Sequence, residues 1–171
     1  VVNDLVTVLG KKIVIDQLDH CAEHSIQLQL PWLQHCWGDV PLIAALVPDP
    51  LSPMLANDGG RATSQQFVDA LRMALEKAGG RTFFIASSDL SHVGPQFGDQ
   101  LKLLGDEDPT KQFRMGVIGH DRDMLKLLEQ GKTQELITGM MWQQNKTRWC
   151  SLGNLVAAMQ ITGATRMEML N

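Results

Sequence analysis

Apolar residues recur every three or four positions between residues 67 and 78, at Phe67, Val68, Leu71, Ala74, Leu75 and Ala78. Thr63 or Ser64 stands where an N-cap is wanted and Gly79-Gly80 where a helix stops, so a helix over 63–78 is predicted. A second stripe, Leu152, Leu155, Val156, Ala158, Met159 and Ile161, predicts a helix over 151–162 ended by Gly163. Residues 109–130 read as helical in two pieces separated near Gly119. From Glu23 to Trp37 the apolar positions again fit a helix, and Pro31 requires either a kink or a start at its first turn. Gly38-Asp39 close it.

Other stretches read as extended. Leu5–Leu9 and Lys12–Asp16 are short extended segments broken by Gly10. Leu42 to Val47 is a continuous apolar run bounded by Pro41 and Pro48, the pattern of a strand buried on both faces. Arg81 to Ser87 is a second such strand, rich in β-branched and aromatic residues. Residues 48–61 hold three prolines and two glycines and predict a long loop. A polar, Trp-containing stretch reaches Trp149. Alternating strands and helices imply one α/β domain over 1–171, a three-layer α/β/α sandwich with a central, mostly parallel or mixed sheet.

Composition narrows the function classes. With 44% hydrophobic and 20% charged residues among 171, the chain can bury a core. A net charge of −4, with basic residues scattered, argues against nucleic-acid binding. No apolar stretch has the length that spans a bilayer, so no membrane association is expected. Val1-Val2-Asn3-Asp4 has neither the basic start of a signal peptide nor an initiator Met, and the chain is expected to begin inside a longer product. Three cysteines without finger spacing, beside nine methionines, suit a reducing compartment, and the cytoplasm is the expected location.

Three places carry candidate chemistry. His20 and His24, four apart, would share a helix face and could hold a metal, or His24 could sit hydrogen-bonded in the core beside Glu23. Asp89 and His92 follow the second predicted strand and form a pair suited to acid–base work, or a turn built by Ser and Asp side chains. Cys150 precedes a predicted helix start, where the dipole favours a thiolate, though an unpaired Cys also serves as a small buried hydrophobe. Cys36 reads as packing, His35 as helix surface, His120-Asp121 as a helix-start or turn pair, and the four tryptophans as core.

In order along the chain, Glu23-His24-Ser25-Ile26-Gln27-Leu28-Gln29-Leu30-Pro31-Trp32-Leu33-Gln34 resembles the EHSxExQLPFLQ signature of the Memo-like family. Ala86 to Gly94 resembles its SSDLSHYG signature, and Cys150-Ser151-Leu152-Gly153 with the following helix resembles its CGxGP pattern. The family includes the B component of the AmmeMemoRadiSam system. The resemblance implies the LigB-like fold of class III extradiol dioxygenases, with His24, His92 and Cys150 gathered as metal ligands at one rim of the sheet. It makes His92 the acid–base group, with Asp89 close by. It implies non-haem iron, alternatively copper or zinc, or a site left empty in a truncated chain. The activity implied is that of an iron- or copper-dependent oxidoreductase acting on a small molecule. The alternative is a non-catalytic metal- or partner-binding module beside a radical-SAM enzyme, with radical-SAM or AMMECR1-like partner proteins.

Three positions depart from the family. Its upstream HAGYxYSG segment, which holds its first metal histidine, has no match, so the chain is expected to represent the C-terminal two-thirds of a longer Memo-like domain. Gln27 stands where Glu is usual, and Ser151 follows Cys150 in place of Gly. A thiolate ligand also departs from the two-histidine, one-carboxylate set of ring-cleaving dioxygenases.

Overall fold

A computed structural model describes residues 1–47, 49–51 and 60–170. The secondary structure is helical: α1 (Val2–Leu9), α2 (Leu30–Trp37), α3 (Ser64–Ala78), α4 (Asp108–Glu129), α5 (Thr133–Trp142) and α6 (Leu152–Thr162), joined by short 3-10 turns and irregular chain.

The helices form for local reasons. Thr63 caps α3 through a capping box, its hydroxyl accepting from the Gln66 N–H while the Gln66 side chain accepts from the Thr63 N–H. Pro31 occupies the first turn of α2, where its missing N–H costs nothing, and no kink is needed. α1 places Leu5 and Leu9 on one buried face, and the fork of Arg61 on Asp16 ties the turns after it to the approach of α3. Gly131 turns the chain from α4 into α5 at φ +71, and any Cβ there would lie 2.1 Å from the Thr165 carbonyl oxygen. Only glycine satisfies both demands.

Packing produces two apolar clusters among the described residues. α1 lies on α3, burying Leu5, Leu9, Ala62, Phe67, Ala70, Leu71 and Ala74. α4, α5 and α6 enclose Met124, Leu128, Leu136, Met140, Trp149, Leu152, Val156 and Met159. α6 contacts both α3 and α5 and so joins the two clusters.

The predicted α/β/α sandwich is not what the chain adopts: no strand occurs among the described residues. Residues 42–47 and 81–87 run without helical structure, yet neither forms a strand ladder among the described residues, and Leu42 and Phe83 are 50% and 75% exposed. An apolar, β-branched run specifies a stiff segment, whereas a strand also needs a neighbouring backbone to bond to. Residues 5–9 are helical because Leu5 and Leu9 are one turn apart and both find α3, and residues 10–13 form a 3-10 turn. α4 is unbroken through Gly119. Residues 49–51 and 60–61 of the predicted loop are irregular, and the remainder of it lies outside the described residues. Of the tryptophans only Trp149 is core; Trp32, Trp37 and Trp142 are exposed, as is Cys36.

Candidate metal centre

The second and third signature segments meet on the surface of the α4–α6 body. The His92 N–H donates to the Thr147 carbonyl at 2.8 Å, which lays residues 91–94 beside residues 147–150. The Arg148 side chain fastens the pair from outside, donating through Nε to the His92 carbonyl at 2.8 Å and pairing with Asp99. Asp99 also accepts from the Gly94 N–H at 2.7 Å. Asn145 shapes the approach to Cys150 by exchanging two 2.9 Å bonds with the Trp149 backbone.

This arrangement brings together Asp89, His92 and Cys150. One ligand atom from each (carboxylate oxygen, imidazole nitrogen, thiol sulfur) lies within 4.8 Å of the other two. His92 is half-buried, Cys150 is exposed, and the Asp89 side chain is 78% exposed, so the group opens directly to solvent. Cys150 directly precedes Ser151, the N-cap of α6, and its sulfur lies 3.3 Å from the Ser151 hydroxyl. That hydroxyl accepts from the Asp89 N–H at 3.2 Å, fixing the Asp89 backbone against the start of α6.

The tautomer of His92 follows from its partners. Nδ1 lies 3.0 Å from the Arg148 carbonyl oxygen, which can only accept, so Nδ1 carries the proton. In the neutral imidazole Nε2 is then the nitrogen with the lone pair, 3.4 Å from an Asp89 carboxylate oxygen. Two acceptors face each other, and a proton on Nε2 or a cation held by both relieves the opposition. A backbone carbonyl holding Nδ1–H is the arrangement that orients an imidazole for a metal through Nε2. Arg148 reaches it with a left-handed backbone, φ +59, an uncommon conformation for a residue with a side chain.

His24 stands outside this group, its side chain 80% exposed. The helix predicted from Glu23 to Trp37 begins only at Leu30; a 3-10 turn ends at Cys21 and residues 23–24 are irregular, so His20 and His24 do not share a helix face. Glu23 instead accepts from the Ser25 N–H at 2.7 Å, a bond that holds its carboxyl below the usual carboxylate range. The first signature still abuts the second, because the Ser87 hydroxyl donates to the Ser25 carbonyl at 3.3 Å and accepts from the Gln29 amide at 3.4 Å. Asn154 of α6 donates to the Ser87 carbonyl at 2.9 Å, so all three signatures converge on residues 87–89.

Sequence reasoning did not single out the support beneath the site. Asp121 and His120 lie within α4, not at a helix start. Asp121 Oδ1 accepts from the Ser91 hydroxyl at 2.5 Å and from the Trp149 indole N–H at 2.8 Å. His120 is buried beside Thr147, and its Nε2 is without a partner among the described residues. A polar pair amid the apolar positions of α4 was the available signal.

A family model described as Memo-like protein matches residues 1–171. A MEMO1 family protein of Methanococcus vannielii is 27% identical over 92% of this chain and 48% of its own length. One from Pyrobaculum aerophilum is 28% identical over 54% of this chain and 30% of its own. One from Thermotoga neapolitana is 36% identical over 47% and 26%. The chain thus spans half or less of the length of these relatives. No solved structure matches. No helix among the described residues is long and apolar enough to cross a membrane.

Proposed function

The chain belongs to the Memo-like family, and from that footing we propose that it carries a non-haem transition-metal centre of an oxidoreductase related to the extradiol dioxygenases, with His92, Cys150 and Asp89 as ligands. The observation that carries this reading is the His92 Nε2 lying 3.4 Å from an Asp89 carboxylate oxygen, with Nδ1 held on a backbone carbonyl and a thiol sulfur in the same group. One nitrogen, one sulfur and one oxygen form a donor set suited to iron, copper or zinc and poorly suited to magnesium or calcium. A bound iron or copper would supply Lewis acidity and one-electron redox chemistry. The protein's own part is to hold Nδ1–H on the Arg148 carbonyl, which aims Nε2 at a metal, and to keep the Asp89 carboxylate 3.4 Å from it as a second ligand. Solvent access at Asp89 and Cys150 leaves room for a small-molecule substrate.

Anaerobic titration with Fe(II), and with Co(II) as an optical substitute whose thiolate charge-transfer absorption reports sulfur ligation, tests the reading. Wild type is expected to take up metal with that band, His92→Ala and Cys150→Ala to lose it, and His24→Ala to keep it. Equal uptake by wild type, His92→Ala and Cys150→Ala overturns the proposal.

A second reading, a non-catalytic metal- or partner-binding module beside a radical-SAM enzyme, is favoured by the open position of the group and by exposed Trp32, Trp37 and Trp142. Stable capture of a radical-SAM or AMMECR1-like protein, without turnover of catechol-type compounds, would select it.

A further inference from the structure

We propose that Asp121 is the positioning residue of this centre: one carboxylate oxygen anchors both Ser91 and Trp149, the residues immediately before His92 and Cys150. The inference rests on the metal reading for its purpose, but its geometry stands apart from any metal.

Oδ1 of Asp121 receives the Ser91 hydroxyl at 2.5 Å and the Trp149 indole N–H at 2.8 Å, and the same indole N–H lies 3.2 Å from the Ser91 oxygen. The three groups close a triangle. Ser91 and Trp149 belong to different segments, and each precedes a proposed ligand by one residue. Movement of either side chain therefore changes the separation of imidazole and sulfur. The backbone bond between residues 92 and 147 sets how the two segments align, but by itself it does not attach residues 91–92 to α4. Asp121 does so, because it projects from within a helix whose Met124 and Leu128 pack in the same cluster as the Trp149 ring.

A second path reinforces the first. His120 Nδ1 lies 3.3 Å from the Thr147 hydroxyl, and Thr147 accepts the His92 N–H through its carbonyl. Asp121 is not in the ligand group itself, so its effect on a metal would pass through the two residues it holds. Carboxylates that orient ligating groups from behind alter metal affinity by about 10–100-fold when removed.

That both short bonds end on the same oxygen gives the test its discrimination. An amide oxygen accepts two hydrogen bonds as a carboxylate oxygen does, so Asp121→Asn should preserve the anchor and Asp121→Ala should destroy it. If the charge of Asp121 were what mattered, Asn would fail as Ala does.

Two readouts on the full chain separate this inference from the metal reading. In the metal-free protein, hydrogen exchange of the His92 amide is compared with that of Leu128 in the core. Asp121→Ala is expected to speed the former relative to the latter by about tenfold through local opening, and Asp121→Asn to leave it within about twofold. With Co(II), Asp121→Ala should weaken binding about tenfold or more and alter the thiolate band, with Asn restoring both. Ser91→Ala removes one arm and should shift both readouts in the same direction by less, which keeps the question decidable if Asp121→Ala does not fold. An unchanged His92-to-Leu128 exchange ratio in both Asp121→Ala and Ser91→Ala overturns the positioning role, as does failure of Asn to rescue. A wild-type protein without any thiolate band would instead strike the metal reading, and the exchange contrast would still decide the role of Asp121.

Discussion

Trp149→Phe isolates the joint between core and site. The ring is 1% exposed and packs within the cluster of α4, α5 and α6, while its N–H reaches Asp121 and Ser91. Phenylalanine keeps most of the apolar body, and the lost ring atoms cost about 1 kcal/mol at roughly 0.8 kcal/mol per buried methylene. The hydrogen bond to the carboxylate contributes about 1.5–3 kcal/mol, as bonds to charged groups do. The total is about 2.5–4 kcal/mol. With a urea slope of about 2 kcal/mol/M, the unfolding midpoint should fall by about 1–2 M at unchanged slope. Trp149→Ala should cost about 3–5 kcal/mol or more, because it adds a cavity. In a double-mutant cycle with Asp121→Ala, the Trp149→Phe penalty should be smaller on the Ala background, since the acceptor of the indole N–H is already gone. A Trp149→Phe midpoint within about 0.2 M of wild type, or equal penalties on both backgrounds, would refute the reasoning that the indole bond stabilises the fold.

Leu136, fully buried in the same cluster, should cost about 2–5 kcal/mol on conversion to Ala, read as a urea midpoint shift. Thr63→Ala should cost about 1 kcal/mol by removing the capping box of α3, seen by the same measurement and as faster amide exchange in its first turn. The Arg61 guanidinium holds the Asp16 carboxyl below its usual value of 3.8. A folded pKa depressed in this way gives stability that is present above the unfolded value and lost as pH falls through the folded one. The stability gap between wild type and Asp16→Asn should therefore be constant above about pH 5 and close on acidification, whereas a gap that widens would refute the assignment.

What the sequence disclosed was what local pattern controls. α3 and α6 were legible because stripe, start and stop coincide in each. α4 was legible in extent, but Gly119 was read as a break; one glycine within a long helix costs about 1 kcal/mol, which its packing readily offsets. α5 was missed because its buried pair, Leu136 and Met140, spans a single turn within a Trp- and Gln-containing stretch. The strands failed because pairing is not written in the run itself. At the site, the motifs identified Asp89, His92 and Cys150, which the fold brings together, and also His24, which stays outside the group. Asp121 and the Arg148 carbonyl were hidden because their roles depend on chain neighbours of other residues.

The unpaired run at residues 42–47 has a practical consequence for anyone handling this chain. It bears no charge, Leu42, Ile43 and Leu46 all face water, and its backbone joins no strand among the described residues. Uncapped stretches of this kind recruit one another between molecules, so turbidity at high protein concentration should originate there. An Ile43→Lys substitution, a gatekeeper charge far in sequence from the proposed ligands, should raise the solubility ceiling.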